Sequence, residues 1–490
     1  MKISERTAIE IRNKVAAGEL TAVEAVSGAL EQVKGADEAV NSFIRLEEDA
    51  ALDAARAVDE KIRQGQPAGK LAGVPVGIKD NMCETGRLTT AGSKILNGFK
   101  PPYTSTAVQK CLDEGAVSIG KTNMDEFAMG SSCETSFYGP CRNPWDTERT
   151  PGGSSGGSAA CVSAGFVPLS LGSDTGGSIR QPGAMCGVCG MKPTYGLVSR
   201  YGLLAYSSSL DQIGPFARNV SDAALLLEVI SGHDKKDSTS VPRTGEAYSE
   251  RIKEPAGGRR IGVPRECFVE GLSEDVKKCV MDAIDVFRNQ GYEIKEIELP
   301  HFKYAIAAYY IIATAEASSN LARYDGVHYG HRSENVKNLM DVYFKSRSEG
   351  FGDEVKRRIM LGNFSLSSGY YDAYYLKGLQ VRRLISRDYD KAFEEVDCII
   401  GPTSPTTAFG LGEKMDDPLT MYLCDIYTIP VNLSGLPAIS INCGFSNGLP
   451  VGLHLTGRAF EETELLRVAY EFESATSFHN QVPEKQGSPM

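Results

Sequence analysis

Two short glycine-serine runs carry the side chains best suited to covalent chemistry: PGGSSGGS at 151–158 and GSDTGGSIRQP at 172–182. Glycines at such spacing let the backbone take positive φ and approach a ligand closely. In the second run, Asp174-Thr175-Gly176-Gly177-Ser178 follows the alternating apolar stretch FVPLSLGSD and leads toward a helix. Amides exposed at the start of a helix can stabilise an oxyanion, so Thr175, Gly176 and Gly177 are candidates for an oxyanion hole with Ser178 beside them.

A serine hydroxyl is a weak nucleophile at its ordinary pKa and needs a base. The six histidines, at 233, 301, 328, 331, 454 and 479, lie outside both runs in sequence, which leaves contact through space open. A lysine can take the part instead when burial disfavours its ammonium form. Lys79 ends the strand pattern AGVPVGIKD, in which Val74, Val76 and Ile78 alternate and Lys79 takes the opposite face. Read alone, a lysine at a strand end also fits a surface position, and a glycine-serine run also fits a flexible loop or a phosphate cradle.

Other motif matches compete with these. GAVSIGKT, residues 115–122, fits G-x-x-x-x-G-K-[ST], but Gly115 ends a helix and the variable positions are themselves an apolar strand, the wrong order for a P-loop. GGSSG, residues 152–156, fits the G-x-S-x-G nucleophile elbow; that would make Ser154 the nucleophile and His454 its base. Cys186-x-x-Cys189 lacks the second pair or the histidines of a zinc site and lies outside a redox βαβ pattern, so no metal is expected.

The elements that must hold these residues are legible in part. The first segment predicts two or three amphipathic helices, with Thr21 and Glu24 forming a capping box and Val23, Val26, Leu30 and Val33 at helical spacing. Helix TAVQKCLDEG ends at Gly115, the strand AVSIG follows, and further strands are predicted at VDCIIG, PAISINCGF and LPVGLHLTG, the last two joined by a Ser-Asn-Gly turn. A final helix is predicted over ETELLRVAYEFESAT, and the segment from Arg243, RTGEAYSERIKEPAGGRR, as a surface excursion. Strands interleaved with helices predict the α/β class: one large three-layer α/β/α domain around a mixed sheet, spanning 1–490. Within it, 1–66 is a helical segment, 67–220 holds Lys79 and both serine runs, and 221–490 completes the same domain. The tail VPEKQGSPM fits no pattern and is expected to fray.

A chain of 490 residues can bury a large core without metal or disulfide support. Its formal charge of −11 argues against gripping a nucleic acid alone, so any RNA partner would need another subunit. MKISERTAIEIRNK lacks the apolar core of a signal peptide and no stretch is apolar enough to span a bilayer, so a cytoplasmic protein with no membrane contact is expected, its twelve cysteines reduced.

Lys79, GGSSGGS and GSDTGGSIRQP, followed by CG and KPTYG, resemble in order and spacing the amidase signature family. The resemblance implies that family's fold, and a catalytic group in which Lys79 is the base, Ser154 the relay and Ser178 the nucleophile. Cys83, Cys133, Cys141 and Cys189 stand where other small or apolar residues are expected. The stretches IKDNMCETG, GKTNMDEFAMGSS, RNPWD, SRYGLLAYSSSLDQIGPFARNVSDAALLLEVISGHD and EVKRRIMLGNFSLSSGYYDAYY narrow it to the members that serve as glutaminases of tRNA-dependent amidotransferases. By that resemblance Tyr309, Arg358 and Asp425 hold free glutamine. An arginine fork suits its α-carboxylate and an aspartate its α-ammonium, whereas Tyr309 lies in YAIAAYYII, where aromatics also serve the core. The implied partners are subunits B and C of a heterotrimer. Ammonia would pass to a partner subunit that uses ATP and magnesium and through which charged tRNA is mainly bound, with no cofactor in this chain. A free-standing amidase of the same family, acting on another small amide, is the alternative.

Overall fold

The computed structural model describes residues 6–269 and 271–484. Among them eleven strands form one sheet: β1 (Phe43–Leu46), β2 (Pro75–Lys79), β3 (Val117–Thr122), β4 (Leu169–Asp174), β5 (Cys189–Lys192), β6 (Gln212–Ala217), β7 (Arg260–Pro264), β8 (Glu293–Ile297), β9 (Cys398–Pro402), β10 (Ala438–Ser446) and β11 (Leu449–Thr456). Their order is β1-β3-β2-β4-β6-β5-β10-β11-β9-β7-β8. β2 runs parallel to β3 and β4, and β7 runs parallel to β8 and β9. The other neighbouring pairs are antiparallel, so the sheet is mixed.

β2, β3, β4, β5, β6, β9 and β11 are buried at every position. A strand buried throughout needs cover on both faces, which gives the three-layer α/β/α arrangement. β5 and β6 escape pattern reading for local reasons: β5 is only four residues, CGMK, and β6 carries Gly214 and Pro215 in its middle, residues that argue against a strand. β1 is four residues long, and the edge strand β8 carries Glu293, Lys295 and Glu296, charges that discourage pairing with another chain.

Local chemistry sets the boundaries of the elements that were read. Helices cover Ala8–Ala16, Ala22–Val40 and Glu48–Arg63, and the predicted capping box closes both ways between Thr21 and Glu24. Helix Thr106–Asp113 stops before Gly115, whose φ is 83°. Asn447 and Gly448, at φ 51° and 78°, supply the two positive-φ positions that turn β10 into β11. The final helix runs Glu462–Ala475. The segment from Arg243 is less superficial than expected, because a short helix at Tyr248–Arg251 buries Tyr248 and the next residue, Ile252, is buried too. Of the C-terminal tail, residues 485–490 lie outside the described residues. Among the described residues no helix is long and apolar enough to cross a membrane.

One consequence of the topology matters most for chemistry. β2 and β4 are parallel neighbours, so their carboxyl ends, Lys79 and Asp174, lie at the same edge of the sheet, while β6 enters there with Gln212 opposite Asp174. Crevices at the carboxyl ends of strands are the usual ligand sites of α/β sheets.

Candidate active site

Lys79 ends β2 with no exposed surface, and its Nζ lies 2.8 Å from Ser154 Oγ, 2.7 Å from Ser155 Oγ and 3.0 Å from Ser173 Oγ. The Ser173 carbonyl lies at 3.3 Å. No carboxylate stands within ion-pair distance of Nζ among the described residues, and burial pulls the lysine down to about 7 against the opposing pull of Asp125. A buried ammonium held only by hydroxyls and a carbonyl gives up its proton easily, and near neutrality a large share of this lysine is the free amine.

The first serine run shapes the next part. The Gly153–Ser154 peptide is cis, the Gly153 amide donates to Gln181 Oε1 at 2.9 Å, and the helix Gly156–Ser163 starts directly afterward. No strand runs directly into Ser154, so the strand-to-helix geometry of a nucleophile elbow is missing. His454 sits on β11 with Nε2 2.9 Å from Arg180 Nη1; burial first and then Arg180 push its pKa far below the usual value. The histidine that an elbow would need is thus committed elsewhere. GAVSIGKT likewise forms β3, with Lys121 Nζ bonded to the Met82 carbonyl and no helix at the position a P-loop requires.

The second run turns from β4 into the helix Arg180–Cys186. Among the described residues, the amides of Thr175, Gly176, Gly177 and Ser178 donate to no protein acceptor, whereas the Ile179 amide is taken by Asp174 Oδ2 at 3.2 Å. Four unclaimed N–H groups around one serine form a site for a developing negative oxygen. The Ser178 carbonyl accepts from the Ser155 amide at 3.2 Å, which ties the two runs together. The Lys79–Ser154 contact is closed, while no hydrogen bond joins the Ser154 and Ser178 hydroxyls among the described residues.

The three residues expected to hold substrate gather over this loop. A methyl group at Gly176 would meet the Tyr309 ring at 2.7 Å, and one at Gly177, with φ 147°, would stand 3.0 Å from Asp425 Oδ1. Glycine at both positions is what lets the loop reach this wall. Asp425 Oδ2 accepts from Ser131 Oγ at 2.5 Å, but Oδ1 is buried without a partner, and burial raises the carboxyl to about 7. Arg358 donates to Glu354 Oε1 at 2.7 Å and to the Tyr206 hydroxyl at 2.9 Å, with its guanidinium 5.3–5.6 Å from the rings of Tyr206, Tyr310 and Tyr422. Its Nη2 donates to no protein acceptor among the described residues. One free guanidinium edge and one unpartnered carboxylate oxygen can receive the two charged ends of an α-amino acid.

Sequence reading missed several members of this assembly. Ser155 and Ser173 share the Lys79 amine with Ser154, and only the second serine of the GSSG run offered a hint of it. Asn81 Nδ2 donates to Ser173 Oγ at 2.9 Å, Tyr206 and Glu354 orient Arg358, and Ser131 holds Asp425; only Glu354, four residues before Arg358 on one helix, carries a local signal. Behind the loop, Arg180 grips Asp174 through Nε at 3.0 Å and Nη2 at 3.1 Å, both side chains fully buried. Burial acts to raise Asp174, yet Arg180 outweighs it and holds the carboxyl down to about 2. Removing the cation would strand that charge, so Arg180→Ala is expected to cost about 3–5 kcal/mol of stability, read as a lowered urea midpoint.

The amidase family model matches residues 24–466. The A subunit of glutamyl-tRNA(Gln) amidotransferase from Thioalkalivibrio sulfidiphilus is 55% identical over 479 residues, covering 98% of this chain and 99% of that protein. Its counterpart from Heliobacterium modesticaldum is 54% identical over 485 residues, covering 99% of each. Among solved structures, the corresponding glutamyl-tRNA(Gln) amidotransferase chain of Thermotoga maritima superimposes with a TM-score of 0.81 at 42% identity, covering 99% of both chains.

Proposed function

The chain belongs to the amidase signature family, and from that premise we propose that it is the glutaminase component of a tRNA-dependent amidotransferase. The observation that carries this reading is the fully buried Lys79 amine, with no carboxylate partner among the described residues, against Ser154 and beside a loop of amides that those residues leave unclaimed, faced by Tyr309 and Asp425.

In the proposed cycle neutral Lys79 draws a proton through Ser154 as Ser178 Oγ adds to the side-chain carbonyl carbon of glutamine. The amides from Thr175 to Ser178 stabilise the tetrahedral oxyanion. The same relay returns the proton to the amide nitrogen, the C–N bond breaks, and ammonia leaves a γ-glutamyl ester on Ser178. Water, activated by the relay, hydrolyses that ester to glutamate and the free serine. Arg358 would take the α-carboxylate, Asp425 the α-ammonium, and Tyr309 would wall the substrate against Gly176. The ammonia would pass to a partner protein, within a heterotrimer of this chain with B and C subunits, where ATP and magnesium activate the misacylated tRNA. Identity of 54–55% to proteins named as the A component of such an enzyme supports that assembly.

Rapid-quench assays test the reading: glutamine should give a burst of ammonia, and steady turnover should rise when B and C subunits and charged tRNA are added. Fast hydrolysis of varied simple amides with glutamine a poor substrate would sink it. The pH profile is a separate check. Lys79 acts as the free amine and Asp425 as the carboxylate, so both working forms gain as pH rises through their values near 7. The kcat/KM for glutamine should climb with a slope approaching about 2 below pH 7 and flatten above it. In Asp425→Asn the slope should fall to about 1 with KM raised, since a single ionisation then remains on that limb.

A further inference from the structure

Asp211 precedes β6 and is 3% exposed, yet the proposed chemistry does not use it. Register explains its position. Asp174 pairs with Gln212, so the residues just beyond that pair, Thr175 and Asp211, also fall side by side. Asp211 Oδ1 accepts from Thr175 Oγ1 at 2.7 Å, the first residue of the oxyanion loop. Oδ2 accepts from the Tyr206 amide at 2.9 Å, and the Ser207 amide lies 3.0 Å from both oxygens. The Tyr206 hydroxyl in turn accepts from Arg358 Nη1. The same turn is bonded to the helix that carries Tyr309, through Ser207 Oγ and the Ser209 amide to Glu316 Oε2, at 2.5 and 2.9 Å.

We infer that Asp211 is a positioning residue that fixes the distance between the oxyanion loop and the Arg358 clamp, and so makes the site select an amide that also bears an α-carboxylate at glutamine's chain length. One carboxylate holds both ends of that distance. The oxyanion side acts on any amide, whereas the clamp side acts only on substrates with a carboxylate. Losing the bridge therefore has a signature that general loosening lacks. Burial raises the Asp211 carboxyl to about 6 against the opposing pull of the Thr175 hydroxyl and Arg200.

This inference rests on the glutaminase reading, and the test separates the two. The full chain with its partner proteins is assayed on glutamine, asparagine and butyramide, the last lacking a carboxylate. Failure of the unmodified protein to turn over glutamine would overturn the glutaminase reading itself. Given that turnover, Asp211→Asn should lower kcat/KM for glutamine by about 30-fold and the glutamine-to-butyramide ratio by about tenfold, with discrimination against asparagine narrowed. Thr175→Val, which removes only the oxyanion-side bond, should lower both substrates together and leave that ratio within about twofold. An unchanged ratio in Asp211→Asn overturns the inference. Should that variant not fold, Thr175→Val and Tyr206→Phe are combined: losses smaller than the product of the single effects support coupling through Asp211, and losses that multiply overturn it.

Discussion

Ser178→Ala is expected to lower glutamine turnover by about 10⁴-fold or more and to abolish the ammonia burst, while KM stays within a few-fold. The hydroxyl is the proposed bond-forming atom, and nothing else in the loop replaces it. The amides from Thr175 to Ser178 belong to the backbone and survive the substitution, as do Arg358 and Asp425, so ground-state binding should persist. Ser154→Ala should behave differently. Its hydroxyl touches Lys79 and would carry a proton without forming a bond to carbon, and Ser155 stands at 2.7 Å from the same amine. A loss of about 10²–10³-fold, with a slowed burst still present, is expected there. Mass spectrometry of the enzyme quenched during turnover gives a direct check: a γ-glutamyl adduct should map to the peptide containing Ser178. An adduct on Ser154, with Ser178→Ala still bursting, would return the nucleophile to the first serine run and sink the assignment.

The second large effect concerns the base. Lys79→Met keeps the length and apolar stem of the side chain but removes the amine, and should lower kcat by about 10⁴-fold and erase the acid limb that Lys79 contributes to the pH profile. His454→Ala should cost no more than about tenfold, because its imidazole is bonded to Arg180 and acts only through the support of Asp174. The pair of variants discriminates sharply between lysine-based and histidine-based chemistry. A dead His454 variant beside an active Lys79 variant would overturn the Ser-Ser-Lys reading. Met is preferred to Ala at position 79 because the side chain is wholly enclosed, and a cavity there would mix stability loss into the kinetics.

Reading from residue types succeeded where the signal is local. Glycine-rich turns, capping boxes and short apolar runs bounded by turn residues depend on near neighbours in the chain, and β2, β3, β4, β9, β10 and β11 and the first helices were legible for that reason. β5 and β6 were not, because β5 is only four residues long and β6 is interrupted by Gly214 and Pro215, and β6 is the strand that brings Asp211 to Thr175. Tyr206 and Ser131 were missed because each acts on a residue distant in sequence, whereas Glu354 faces Arg358 at helical i,i+4 spacing and could have been found from it.

The two serine runs and the lysine at the end of β2 were determined by sequence alone, as was the α/β class, since both follow from residue types in short windows. That Lys79 loses its charge easily was decided only by tertiary structure, because pKa depends on what surrounds the amine, here the hydroxyls of three serines and, among the described residues, no carboxylate in contact. The choice of Lys79 over His454 as neighbour to the serines was settled in the same way, by the parallel pairing of β2 with β4 that brings their carboxyl ends together and the position of β11 beside Arg180. Strand order is a long-range property, and a sequence window holds no record of which strands will lie side by side.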